Sequence, residues 1–170
     1  MVVEDGTGLE NADSYVSVEF ADSYFSARGV SAWKDIETEA KEQCLVRATD
    51  YIDNMFRWYG KKMSAGQALR FPRTNLKDYE GNEINGVPNC LKQAVCDAAV
   101  IALDGSELFH KDNENGDVVS ENITSLSFTY SRTKRETADK TLYDSVNTKL
   151  RGLYVDTGKN RILVGKVERV

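Results

Sequence analysis

Residues 39–74, EAKEQCLVRATDYIDNMFRWYGKKMSAGQALRFPRT, constrain the fold more than any other stretch. Cys44, Ala48, Tyr51, Ile52, Met55 and Tyr59 recur at spacings of three and four, the repeat of one helical face. Glu42, Arg47, Asp50, Asp53, Asn54 and Arg57 fall mostly elsewhere, with Asp53 and Arg57 an i,i+4 pair on the wet side. Gly60 reaches the left-handed conformation without strain and reads as a C-terminal stop. The pattern predicts a helix over about residues 38–59. Lys61, Lys62, Arg70 and Arg73 follow it with no acid among them, and Phe71-Pro72 ends any helix there.

The flanking sequence adds three further helices. Ser17 is an N-cap for a helix over 18–27, with Glu19 near its positive dipole end. Phe20, Tyr24 and Ala27 line one face, Gly29 ends it, and Trp33 plugs the junction with the next helix. Pro88 opens a third helix that runs to about Leu103. Leu91, Ala94, Val95, Ala98, Ala99, Ile101, Ala102 and Leu103 leave it little polar face. Such a helix is buried by its neighbours or by other subunits. Ala138, Leu142, Val146 and Leu150 mark a fourth helix over about 137–150.

The connections are long. Residues 60–87 are rich in turn residues, and a loop of that length in a compact domain is usually functional or partner-bound. Ile123–Tyr130 alternates as a half-buried strand over about 123–130. Residues 1–16 read as an extended N-terminal arm, either disordered or laid against a neighbour. The tail carries the β-prone run RILVGKVERV, residues 161–170, which must pair within its own fold or with a partner. The expected fold is mainly α: four helices, one or two short β-strands, a long central loop and extended arms at both ends. The division is an arm at 1–16, a helical domain at 17–152 and a docking tail at 153–170.

Catalytic chemistry finds no footing in the residues. His110 is the chain's one histidine, and no nucleophile elbow, P-loop, HEXXH or calcium-loop pattern accompanies it. Asp50 and Asp53 lie three apart, a spacing more typical of a charged helix face than of a metal site. Cys44, Cys90 and Cys96 lack metal-ligand spacing, and Cys44 and Cys96 sit in apolar patterns that suit small buried thiols. No enzyme, metal or cofactor is expected. No stretch approaches the roughly 20 apolar residues of a membrane helix, and the acidic N-terminus lacks a signal-peptide core. A net charge of −5 argues mildly against wholesale nucleic-acid coating, yet residues 57–73 carry five positive charges and no negative ones. Trp58, Tyr59 and Phe71, interleaved with Arg57, Lys61, Lys62, Arg70 and Arg73, have the composition of a surface that stacks bases and tracks phosphates. Tyr59, on the apolar stripe, and Phe71, before a proline, also read as packing residues.

Several runs carry a resemblance: Ala12–Val18 (ADSYVSV), Ala21-Asp22, Tyr24-Phe25, Arg28-Gly29, Trp33, Val46–Asp53 (VRATDYID), Gln67, Leu69, Phe71–Thr74 (FPRT), Asp78, Gly81, Ile84 and Val87-Pro88. In these the chain resembles the phage family labelled DnaT-like ssDNA-binding protein, closely over roughly the first two thirds and loosely beyond. The label implies single-stranded DNA. Members also look like the head–tail connector, or adaptor, proteins of tailed phages, and that likeness implies a different role. Subunits would form a ring, a dodecamer by analogy, between the portal protein and the next tail or neck protein. Genomic double-stranded DNA would pass through its lumen without sequence specificity. The protein would be made in the host cytoplasm and reside in the virion. On this reading Arg57, Lys61, Lys62, Arg70 and Arg73 face DNA or the channel. Arg161, Ile162, Leu163, Val164, Lys166, Val167, Arg169 and Val170 dock on the portal or tail. The connector is the expectation taken forward, because a symmetric ring would bury the over-apolar helix, the long loop, the arm and the tail strand together. Single-stranded DNA binding is the alternative.

Overall fold

The computed structural model describes residues 1–78, 80–103, 108 and 144–155, together with the backbone of 121–123, 126–128 and 137–143. The docking residues expected between Arg161 and Val170 lie outside this set, as do His110 and most of the tail expected over 153–170. Four helices dominate: α1 (Val18–Ser26), α2 (Thr38–Met55), α3 (Asn89–Leu103) and α4 (Thr137–Leu150). A short 3-10 turn, Ser31–Trp33, joins α1 to α2. The fold is mainly α, as expected.

Capping and side-chain periodicity explain the helix positions. The Ser17 hydroxyl accepts a hydrogen bond from the Phe20 N–H at 3.2 Å, so one orphan donor of the α1 first turn is satisfied. α3 packs against both α2 and α4, and α1 packs against α2 and α3. Leu91, Ala94, Val95, Cys96, Ala98 and Ala99 are all fully buried within the single chain. The apolar girth of α3 is therefore covered by its own neighbours, and Ala98 and Ala99 sit inside the protomer. Trp33 is buried as expected, with its ring 4.7 Å from that of Phe25. Burial and the neighbouring Asp97 push the Cys96 thiol up to about 12, which fits an inert packing residue.

Three features differ from expectation. The first is the end of α2, which stops at Met55 rather than Tyr59; Phe56 is already extended (φ −114°, ψ 141°). Segment 57–59 pairs with 153–155 instead: Tyr59 N–H donates to the Leu153 carbonyl at 2.9 Å and Val155 N–H to the Arg57 carbonyl at 2.7 Å. A continued helix would have kept the stripe residues inward and left Trp58 off it. The extended backbone buries Trp58 against Phe71, with ring centroids 5.0 Å apart, and exposes Met55 and Tyr59. The larger ring wins the core position.

The second concerns the arm over 1–16, which lies on its own chain. Val3 bridges Ser14, and Ala12, Tyr15 and Val16 are buried. The buried Glu4 carboxylate accepts from the N–H groups of Gly6, Gly8 and Leu9, each at 2.9 Å, which closes the turn. The third concerns the strand expected over about 123–130. It is an antiparallel hairpin of Glu121–Ile123 and Leu126–Phe128, with Ile123 opposite Leu126. A single strand leaves its backbone groups unpaired, whereas a hairpin pairs one edge.

The helices are locked at one end by a polar triad. The Tyr24 hydroxyl donates to Asp97 Oδ1 at 2.7 Å, Lys149 Nζ donates to the Tyr24 hydroxyl at 2.9 Å, and Lys149 also pairs with Asp97 Oδ2. One residue each from α1, α3 and α4 thus meets at a half-buried site. Burial pushes the Lys149 ammonium down, but Asp97 and Tyr24 more than offset it, and its pKa is raised. A raised folded value means that this stabilisation is complete below the unfolded pKa of about 10.4. It is lost as pH rises through the folded value. Lys149→Met is expected to cost about 2 kcal/mol at neutral pH. Thermal melts of the two proteins should converge in strongly alkaline buffer; a constant gap would place the Lys149 contribution in packing rather than charge.

Candidate nucleic-acid interface

The loop over 60–87 is built on side-chain nodes. Two strands, β1 (Lys61–Lys62) and β2 (Arg73–Thr74), pair antiparallel with Lys61 opposite Thr74. Gly60 stands at their junction with φ +70°, and a Cβ there would meet the Thr74 carbonyl oxygen at 2.4 Å. Gly60 is therefore required by close approach and not by a helix end. Inside the loop the buried Gln67 amide donates to the carbonyls of Leu69 (2.9 Å) and Pro72 (3.1 Å) and accepts from Ser64 N–H (2.9 Å). Farther along, the Asp78 carboxylate accepts from the N–H groups of Glu80 and Asn82, which shapes a second turn.

The loop is pinned to α2 by Asp53. Its Oδ1 accepts the Tyr15 hydroxyl at 2.5 Å and its Oδ2 accepts Arg70 N–H at 2.9 Å, while the Tyr15 oxygen accepts Phe71 N–H at 3.0 Å. Asp53 is therefore a buried partner of the loop and not the wet-side mate of Arg57. Asp50, three residues earlier, is exposed, so the two carboxylates diverge rather than share a ligand. Burial pushes the Asp53 carboxyl up, against the opposing pull of the Tyr15 and Arg70 hydrogen bonds. Burial, with Asp53 beside it, pushes the Tyr15 phenol up as well.

The five expected cations fall into two groups. Arg73 is structural: its guanidinium donates to the carbonyls of Tyr59 (2.5 Å), Gly60 (2.8 Å) and Arg70 (3.1 Å). Lys62 is largely structural too, with Nζ on the Gln67 carbonyl at 3.0 Å. Arg57, Lys61 and Arg70 are exposed, and their side chains bond no described residue. The aromatics divide as well. Trp58 and Phe71 are buried, Phe71 edge-on to Tyr15 at 6.2 Å. Tyr59, expected to pack, is 46% exposed, and Met55 and Met63 are 55% and 46% exposed. One guanidinium thus gathers Tyr59 and Arg70 from opposite sides of the loop, with Arg57 and Lys61 two residues either side of Tyr59. Sequence reasoning missed Glu4, Tyr15, Asp53 and Gln67 as the nodes. The one legible signal was a second buried line on α2, Leu45, Thr49 and Asp53, beside the apolar stripe.

Removing the pin has a defined cost. Asp53→Ala leaves Tyr15 hydroxyl and Arg70 N–H without their acceptor in the interior, and is expected to lower stability by about 3 kcal/mol. Arg73→Ala frees three carbonyls at the surface, where water replaces the guanidinium, so about 1 kcal/mol is expected. Denaturant melts check both values, and limited proteolysis should show first cleavage within 60–74 in Asp53→Ala. Equal costs for the two variants would remove Asp53 from its place as the pin.

Three stretches that carried the resemblance meet here: Tyr15 from ADSYVSV, Asp53 from VRATDYID, and Phe71 with Arg73 from FPRT. Neither the curated proteins nor the solved structures contain a match to the chain. Among the described residues no helix is long and apolar enough to cross a membrane, and no group of acidic, cysteine or histidine side chains is placed to hold a metal. One family model matches over residues 1–170, that described as "Putative DnaT-like ssDNA binding protein". The chain belongs to that family.

Proposed function

We propose that this is a non-catalytic protein that binds single-stranded DNA through the exposed side of the 57–73 segment. The observation that carries the reading is an exposed aromatic, Tyr59, beside three exposed cations, Arg57, Lys61 and Arg70, whose side chains hydrogen-bond no described residue, on a backbone held by Arg73. Bases have π-faces and stack on exposed rings whatever their identity, while arginine and lysine follow the phosphates. Met55 and Met63 add polarizable apolar surface nearby. Unpaired bases are needed for stacking, so single strands are preferred over duplex. The family description supports the same ligand.

The portal-adaptor reading rested on four features. The arm, the long loop and α3 find their partners within one chain. The tail run lies outside the described residues.

Titration with fluorescent oligothymidine at several salt concentrations tests the proposal. Affinity should fall with salt at a log–log slope of about −0.7 per phosphate contacted. Arg57→Ala, Lys61→Ala and Arg70→Ala should each flatten the slope by about that amount. Tyr59→Ala should cost about 1–3 kcal/mol of binding with little change in slope, and Tyr59→Phe should restore most of it. Salt-independent binding, or wild-type affinity in the Tyr59→Ala and Arg70→Ala proteins, would remove this surface from the role.

A further inference from the structure

Away from the basic loop, α1, the 3-10 turn and the start of α2 border an open pocket of about 410 Å³. That volume lies in the range of small-molecule sites. Its inner wall is apolar and aromatic: Phe25 and Trp33 are buried against each other, with ring planes tilted by 42°, and Val30 adds an aliphatic edge. Gly29 at the rim meets nothing within 4 Å of where a Cβ would stand, so the entrance is open on that side.

The polar side of the cavity is unbalanced. Lys41 is buried, with its side chain 10% exposed, and its ammonium makes one hydrogen bond, to Asp22 Oδ1 at 2.9 Å. That same oxygen also accepts the Trp33 indole N–H at 2.7 Å. An ammonium has three donors, so two on Lys41 have no hydrogen-bond acceptor among the described residues, with the Trp33 ring 5.8 Å away. Lys34 lines the same cavity. The charged lining is thus two ammonium groups against the single carboxylate of Asp22, a surplus of one positive charge.

We propose that this cavity binds a small aromatic carboxylate, a ligand class independent of the DNA reading. Its ring lies against Phe25, Val30 and the edge of Trp33, and its carboxylate takes the two spare donors of Lys41, with Lys34 at the mouth. A single negative charge matches the surplus; a neutral ring would leave Lys41 as it is. Lys41 is thereby the residue that sets specificity for the charged form.

Benzoate and its neutral isostere benzamide are the probes, titrated into the ¹⁵N-labelled full chain at fixed ionic strength. The two tryptophans make the readout internal: the Trp33 indole N–H belongs to the cavity, while Trp58 lies in the loop cluster. Benzoate is expected to shift Trp33 indole and the Gly29 and Val30 amides saturably, and to leave Trp58 unmoved. Benzamide and the Lys41→Met protein should each show affinity weaker by about tenfold or more, roughly 1.4 kcal/mol. Ser26→Trp, at an exposed lining position, should block the cavity without touching Lys41, and serves if Lys41→Met does not fold. Equal affinity for benzamide, unchanged benzoate binding in Lys41→Met or Ser26→Trp, or no saturable shift at Trp33 would each overturn the proposal.

Discussion

A single buried carboxylate ties the helical core to the surface loop. Asp53 leaves α2 near its last turn and holds, with one oxygen each, a hydroxyl from the N-terminal segment and a backbone N–H from the loop. Tyr15 extends the arrangement by accepting Phe71 N–H while its ring packs on Phe71. Three segments distant in sequence thus share one polar centre inside an aromatic shell. In such surroundings a hydrogen bond is stronger than in water, and an unmade one is more costly. The arrangement is accordingly all-or-none: with every member in place it fixes where Arg70 and Arg73 leave the core. The backbone at Arg70 thus takes its position from a buried group, while Arg57 and Lys61 are held by their strand partners.

The same economy separates the roles of the basic residues. Arg73 gives its planar fork to three carbonyls, a task for which lysine lacks the geometry. The loop then needs little sheet beyond the two-residue pair β1–β2, because side chains supply what a longer one would. Gln67 does likewise with three backbone partners. Arg57, Lys61 and Arg70 are left uncommitted. A reading that counts positive charges treats all five alike; their hydrogen bonds distinguish scaffold residues from exposed ones.

Helix positions were legible in the sequence because periodicity and caps are local. Ser17, Pro88 and the i+4 apolar steps of α4 placed three helices to within about a residue, and the Trp33 plug followed from its place between two amphipathic stretches. The end of α2 was not legible. The stripe through Met55 and Tyr59 is real, but Trp58 competes for the same core, and segment 153–155, nearly a hundred residues later, offers its backbone partners. Asp53 was misjudged for the same reason: its acceptor role exists only once residues 15, 70 and 71 arrive. The loop composition did not distinguish the cations that bond backbone carbonyls, Arg73 and Lys62, from the exposed ones. Tyr59 and Phe71 both looked like packing residues, and only the tertiary fold exposes one of them.

An acidic protein with a basic loop is no contradiction once distance enters. At physiological ionic strength charges more than about 8 Å apart in solvent are largely screened from one another. A strand lying along residues 57–70 therefore responds to Arg57, Lys61 and Arg70 far more than to the overall charge of −5. The net charge acts instead at longer range and lower salt, where it slows encounter with a polyanion and disfavours indiscriminate coating. If the 57–73 segment binds single strands as proposed, local attraction with global repulsion makes binding depend on contacts that duplex does not offer, above all on stacking against Tyr59. On the proposed reading, specificity for unpaired bases comes from the Tyr59 ring and the backbone beneath it, with the cations supplying register along the phosphates.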